Sequence, residues 1–200
     1  VRERGYGKVY VGGNIGNSLL PYVQDMTADD FAVVELSSFQ LMTVKQPLTY
    51  SAVTNLSPNH LDWHTGMDEY VAAKRHIFEG AGAQRLVTNR DCALTWEMVQ
   101  DLDVPLTLFS SKLHDYQTIM CGKQGRAVFL RDGHIVCADG KTEKTMLAVD
   151  EILLPGMHNV ENYMTAIGLT RDYITPEIAR RVACSFGGVE HRMQLVREKD

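Results

Sequence analysis

Cysteine, proline and tryptophan are scarce, with 4, 6 and 2 among 200 residues. Cys92, Cys121, Cys137 and Cys184 are widely separated and no C-x-x-C occurs, so a disulfide framework is not expected and reduced thiols are. No run of about 18 apolar residues is present, which leaves no expected membrane span and no membrane partner. No basic segment followed by an apolar core resembles an export signal, so the expected location is cytoplasmic. Positive charge is in deficit: Lys and Arg total 20 against 25 Asp and Glu, a net charge of −5. That balance excludes a general nucleic-acid binder, whose phosphate contacts need a basic surface. It leaves nucleotide binding open, since backbone amides and metal ions can hold phosphates. No internal repeat or low-complexity segment occurs. What remains is an ordinary globular composition, 44% hydrophobic and 22% charged, long enough for one good core or for one large and one partial domain.

The stretch 54–74, TNLSPNHLDWHTGMDEYVAAK, carries most of the candidate chemistry. It leaves an apolar run at 51–54, passes through a polar loop with His60, Asp62 and His64, and enters an expected helix over 68–82. Met67, Val71, Lys74, Phe78 and Ala81 fall on one helical face, so Lys74 interrupts an apolar stripe. Two explanations stand: a lysine whose stem packs while its amine reaches water, or a lysine held inward because a site needs its nitrogen.

The rest of the chain alternates strands and helices. Strands are expected at 8–11, 31–34, 50–54, 85–88 and 106–109, with helices at 68–82 and 92–101 among them. This pattern implies an α/β fold with a mostly parallel sheet. The continuous apolar run at 31–34 suits a strand buried on both faces. In such sheets ligands bind beyond the carboxyl ends of the strands, where Asn14, Glu35, His60 and Asp91 all fall. Gly12 and Gly13 would let backbone approach a ligand closely, or simply form a strand-to-helix turn. Glu35 at a strand end is either exposed or held by a metal or a partner. Asp132 and Gly133 between two apolar runs signal a hairpin, read as an antiparallel appendage over 125–149. The GKT at 140–142 is not a phosphate loop, because Ile135 stands where the motif needs glycine; it reads as a turn. Asn159 and Asn162 share a face near the start of a helix expected over 158–172, where one could cap and both could read a ligand. Thr175 and Pro176 open a last helix, expected to end near Phe186 before Gly187 and Gly188.

GGNIG at 12–16, ELSSFQL at 35–41, TNLSPNHLDWH at 54–64, AAK at 72–74, PGMHNVEN at 155–162 and GVEHRMQLV at 188–196 occur together and in order. With these motifs the chain resembles the Mur ligases of bacterial cell-wall synthesis. ELSSFQL is similar to the branch that adds D-glutamate; the tripeptide-forming relatives carry an EVSSHAL-like version. The resemblance implies an ATP-dependent carbon–nitrogen ligase that uses UDP-N-acetylmuramoyl-L-alanine and D-glutamate, an acyl phosphate and two Mg²⁺ ions. It implies Glu35 and His60 as holders of the second metal. Lys74 would be carbamylated and assist the metal, which makes Lys74, His60 and Glu35 the catalytic set. Asn14, with His60, would lie near the substrate carboxylate and phosphates. Asn162 would contact adenine and Arg192 the ribose or phosphate, with Asn159, His158 and His191 in support. A GTNGKT-type phosphate loop would precede GGNIG and is absent from the sequence, which begins at Val1. The expectation is therefore a monomeric piece of a longer enzyme, inactive alone: residues 1–188 from the central ATP-binding domain and 189–200 from the start of the C-terminal one. Alternatives from other classes are a hydrolase with His60, Asp62, His64 and a lysine carbamate as metal ligands, another amino-acid-adding Mur ligase, and a non-catalytic α/β binding module.

Overall fold

In the computed structural model, residues 1–44, 48–58, 64–78 and 85–188 are described. Eight strands and six α-helices follow one another in that part of the chain: β1 (Val9–Gly13), β2 (Phe31–Glu35), α1 (Ser38–Leu41), β3 (Tyr50–Val53), α2 (Met67–Arg75), β4 (Arg85–Asn89), α3 (Ala93–Val99), β5 (Leu106–Ser110), α4 (Tyr116–Met120), β6 (Gly125–Arg131), β7 (His134–Ala138), β8 (Glu143–Ala148), α5 (Met157–Thr170) and α6 (Pro176–Ala183). The α/β class expected from the alternation is present. Strands β3 to β8 form one six-stranded sheet in chain order, parallel from β3 to β6 and antiparallel from β6 to β8. The hairpin region is thus the continuation of the main sheet: β6 joins β5 in parallel before the chain reverses. Asp132 and Gly133 turn it with φ of 49° and 73°, the left-handed pair that a two-residue hairpin needs.

Period-two alternation along β5 sends Leu106 and Leu108 to one face and Thr107 and Phe109 to the other. The first face packs with Met98, Val99, Ile119 and Met120 of α3 and α4. The second packs with Val160, Met164 and Ile167 of α5. Helices on both faces bury nearly every β4 and β5 side chain, as in a parallel sheet covered on both sides. Gly168 lets α5 come close: a Cβ there would stand 3.1 Å from Val87 Cγ1 and 3.2 Å from Thr107 Cγ2. No helix among the described residues is long and apolar enough to cross a membrane.

Strand β2 departs from expectation. Among the described residues it pairs only with β1, in a two-stranded parallel ladder, and Val33 and Val34 are 54% and 44% exposed rather than doubly buried. A four-residue apolar run carries no information about how many layers cover it. The glycines before Asn14 also differ from the ligand-approach reading. A Cβ at Gly12 would stand 2.1 Å from the Asn17 carbonyl oxygen, and one at Gly13 would stand 2.2 Å from that of Glu35. The close approach is to the protein's own backbone. After GGNIG the chain forms a 3-10 helix, Leu20–Asp25. The helix expected over 68–82 is α-helical to Arg75 and continues as 3-10 through Phe78; 79–82 lie outside the described residues. The last helix stops at Ala183, three residues before the expected end.

Candidate functional site

The parallel register sets Gly13 beside Glu35, and the Asn14 N–H donates to the Glu35 carbonyl at 2.7 Å. Two residues singled out from the sequence are thereby joined at the carboxyl end of one ladder. ELSSFQL then turns the chain into α1 through a capping box. Ser37 Oγ accepts the Gln40 N–H at 3.2 Å, and Gln40 Oε1 accepts the Ser37 N–H at 2.9 Å. Ser38 and Leu41 are buried. The serines and glutamine of this motif therefore shape the turn that follows Glu35.

Lys74 sits on α2 facing that turn. Its Nζ donates to the Leu36 carbonyl at 3.3 Å, and the side chain is half-buried. Burial pushes the amine below an ordinary lysine, and the Glu35 carboxylate pulls it part of the way back. Glu35, Lys74, Thr54, Asn55 and Tyr70 line a cavity of about 370 Å³ between the carboxyl ends of β2 and β3. The inward lysine is thus favoured over the purely solvated one. Among the described residues no three His, Cys, Asp or Glu side chains gather as a ready metal site. Among the described residues lining this cavity Glu35 alone supplies a carboxylate, and a carbamate on Lys74 would add more of the oxygen donors that suit Mg²⁺.

His64 has one ring nitrogen hydrogen-bonded and the other facing a carboxylate. Nε2 lies 2.9 Å from Ser38 Oγ and Nδ1 lies 3.6 Å from Glu69 Oε2, while the ring stacks on Phe39. The buried ring is committed to holding α1 against α2, which removes it from the ligand set of the hydrolase alternative. His60, Asp62, His191 and Arg192 lie outside the described residues.

A second cavity, about 310 Å³, lies along α5. Leu154, Tyr163, Ala166 and Phe186 form its apolar walls, and Asn159 and Asn162 are its amides. Neither asparagine caps the helix. Gly156 is the N-cap residue, and Asn159 Nδ2 donates to the Pro155 carbonyl at 2.8 Å. Asn162 Nδ2 points to Asn159 Oδ1 at 3.5 Å. A carbonyl can only accept, so the Pro155 oxygen orients the Asn159 amide with Oδ1 toward Asn162; Asn162 is exposed and turns its Nδ2 to that oxygen, and among the described residues no donor meets its Oδ1. His158 is exposed and does not line this cavity.

Asp91, at the carboxyl end of β4, is used internally. Its carboxylate accepts from Ser110 Oγ and the Ser111 N–H. Ser111 Oγ also donates to Glu161 of α5 at 2.7 Å. The GKT at 140–142 is the turn expected: Asp139 Oδ1 accepts the N–H groups of Lys141 and Thr142, which lower its pKa to about 2.

A profile described as the Mur ligase middle domain matches residues 13–170. The chain belongs to the Mur ligase family. The matched span takes in Asn14, Glu35, Lys74, Asn159 and Asn162, and with them the whole Glu35–Lys74 cavity and the α5 side of the second; Phe186 lies beyond it. A protein of Acetivibrio thermocellus named UDP-N-acetylmuramoylalanine–D-glutamate ligase is 41% identical over 199 residues, 99% of this chain and 41% of that protein. A protein of the same name from Clostridium novyi is 43% identical over 194 residues, 96% of this chain and 40% of that one. The chain thus spans about two fifths of the length of the curated relatives it matches. Among solved structures, a UDP-N-acetylmuramoyl-L-alanyl-D-glutamate–2,6-diaminopimelate ligase superposes with a TM-score of 0.66 at 16% identity, over 99% of this chain and 50% of that one. At that identity the likeness concerns the fold.

Three features of the site were not singled out from the sequence: the Asn55–Asn89 amide pair, the Ser38–His64 contact and the aromatic walls of the α5 cavity. The S-x-x-Q spacing in ELSSFQL was a readable capping signal. The others join residues far apart in the chain and have no local pattern.

Proposed function

We propose that the chain is the ATP-handling core of a ligase that joins D-glutamate to UDP-N-acetylmuramoyl-L-alanine in bacterial cell-wall synthesis. The observation that carries the proposal is 41% identity across 99% of the chain to a protein of that name. The two cavities fit the reaction class. The one along α5 is apolar and flat-walled by Tyr163 and Phe186, suited to a nucleobase. With Asn162 Oδ1 as its free acceptor it favours adenine, whose exocyclic amine donates, over guanine, which presents a carbonyl there. The cavity at Glu35 and Lys74 lies at the carboxyl edge of the strands, where the carboxylate to be activated would sit. Asn14, held to the Glu35 backbone, stands beside it.

In this reading Lys74 reacts as the neutral amine that burial favours. Its nitrogen forms a bond to the carbon of CO₂ and loses a proton, giving an anionic carbamate. Glu35 and that carbamate would hold Mg²⁺, which when bound neutralises charge on phosphate and carboxylate oxygens. The activated carboxylate is an acyl phosphate; attack by the D-glutamate amine forms the amide bond and releases phosphate. Substrates linked to UDP and ATP place the reaction in the cytoplasm.

The experiment is a graft. The chain replaces the matching residues of the Acetivibrio thermocellus relative, and phosphate release is measured with UDP-N-acetylmuramoyl-L-alanine and different amino acids. Release that requires D-glutamate is expected. A well-folded chimera that prefers another amino acid, or releases no phosphate with any, would contradict the proposal. For Lys74 separately, ¹³C-labelled bicarbonate should give a carbamate NMR signal that Lys74→Arg abolishes.

A further inference from the structure

Asn55 follows β3 and lines the same cavity as Glu35 and Lys74. Its carboxamide has an oxygen end and a nitrogen end of nearly equal shape, so its chemistry depends on which end is tied down. A chain of hydrogen bonds settles this. The Asp91 backbone N–H, which can only donate, is accepted by Asn89 Oδ1 at 2.8 Å. Asn89 is 3% exposed and has no freedom to turn away. Its Nδ2 must then face outward, and it donates to Asn55 Oδ1 at 2.7 Å. The Asn55 oxygen is therefore engaged, and among the described residues its Nδ2 meets no acceptor. The origin of the chain is itself fixed, because the Asp91 carboxylate is held by Ser110 and Ser111.

We infer that Asn55 is an anion-reading residue of this cavity, its Nδ2 donating to an oxygen of the phosphoryl or carboxylate group held beside Glu35 and Lys74. The inference rests on the reading of this cavity as the place where a carboxylate is activated, and it adds a selectivity to it. With its oxygen turned to Asn89, Asn55 presents its donor end to the cavity, a contact that favours an oxyanion over Mg²⁺. Glu35 repels an oxyanion, and the Asn55 amide supplies a neutral donor where a further cation would compete with the metal. Asn89 acts only through Asn55 and is a positioning residue.

The test follows the Asn55 side-chain amide by NMR while inorganic phosphate is added, with and without Mg²⁺. In the native chain its two N–H signals should shift together with the backbone signals of Ala52 and Lys74. Asn55→Asp keeps the oxygen that accepts from Asn89 and replaces the donor by an acceptor. It should weaken phosphate binding ~10-fold or more and tighten Mg²⁺ binding. Opposite signs for the two ions are not what general damage to the fold would give. Asn89→Asp should also weaken phosphate binding, because an aspartate there turns the Asn55 donor back toward itself. Shifts at Ala52 and Lys74 without shifts at the Asn55 amide, or full phosphate affinity in Asn55→Asp, would overturn the inference while leaving the cavity reading intact. Phosphate that moves no signal around the cavity would overturn both.

Discussion

Gly168→Ala tests how closely α5, the helix that carries Asn159 and Asn162, is seated on the sheet. The added methyl would stand 3.1 Å from Val87 Cγ1 and 3.2 Å from Thr107 Cγ2. Carbon atoms in van der Waals contact prefer about 3.5–4.0 Å. Val87 and Thr107 are 0% and 2% exposed, on adjacent central strands, with β-branched side chains that have little rotamer freedom. The sheet is packed on its other face as well, so α5 must lift by a few tenths of an ångström. Overpacking of this kind costs about 1–3 kcal/mol. Alanine recovers about 1 kcal/mol of helix propensity. The net expectation is a loss of roughly 0–2 kcal/mol, read as a lower urea midpoint with an unchanged slope. A variant more stable than the native chain would show that α5 has slack above Val87 and Thr107, and would refute the close seating.

Lys74→Met should raise stability near neutral pH, by ~1 kcal/mol or less for a half-exposed group, because it removes a charge that burial disfavours. The folded amine sits below its unfolded value near 10.4. The unfolded chain therefore binds more protons in that window, and native stability should climb as pH rises toward it, a slope the variant loses. Cys137 has the opposite sign: burial raises its thiol to about 11 against about 8.5 unfolded. The native chain should lose stability as pH rises from about 8.5 to 11, and Cys137→Ala should not show that loss. Asp139, lowered to about 2 by the N–H groups of its turn, should destabilise the protein as pH falls from about 4 through that value, and Asp139→Asn should flatten the acid limb. Asn162→Ala should weaken adenosine binding by roughly 1–3 kcal/mol in a calorimetric titration, with no change in thermal midpoint.

The alternation of strands and helices was legible because periodicity and burial agree in β4, β5 and α5. The hairpin was legible because Asp132 and Gly133 carry its backbone angles. The two-stranded ladder was not, because the valines of β2 look alike whether one layer covers them or two. Helix α4 was also missed, although Asp115 accepts the Thr118 N–H at 2.9 Å as an ordinary cap. In the site, Glu35, Asn14 and Lys74 were named from the sequence, and the fold brings them to one edge. Asn159 and Asn162 were named too, but as caps or readers; the Pro155 carbonyl decides against the cap. The Asn55–Asn89–Asp91 chain depends on strand order, which brings β3 beside β4, and no local pattern encodes that.

The most direct measurement on the proposed adenine cavity is an NMR titration of the chain with adenosine, following every assigned backbone amide. Shifts should concentrate at Leu154, Asn159, Asn162, Tyr163, Ala166 and Phe186 and should fade in Asn162→Ala, while guanosine leaves them in place. Adenosine that shifts a different set of residues, or guanosine that shifts this set equally, would contradict the assignment of the α5 cavity to an adenine nucleotide.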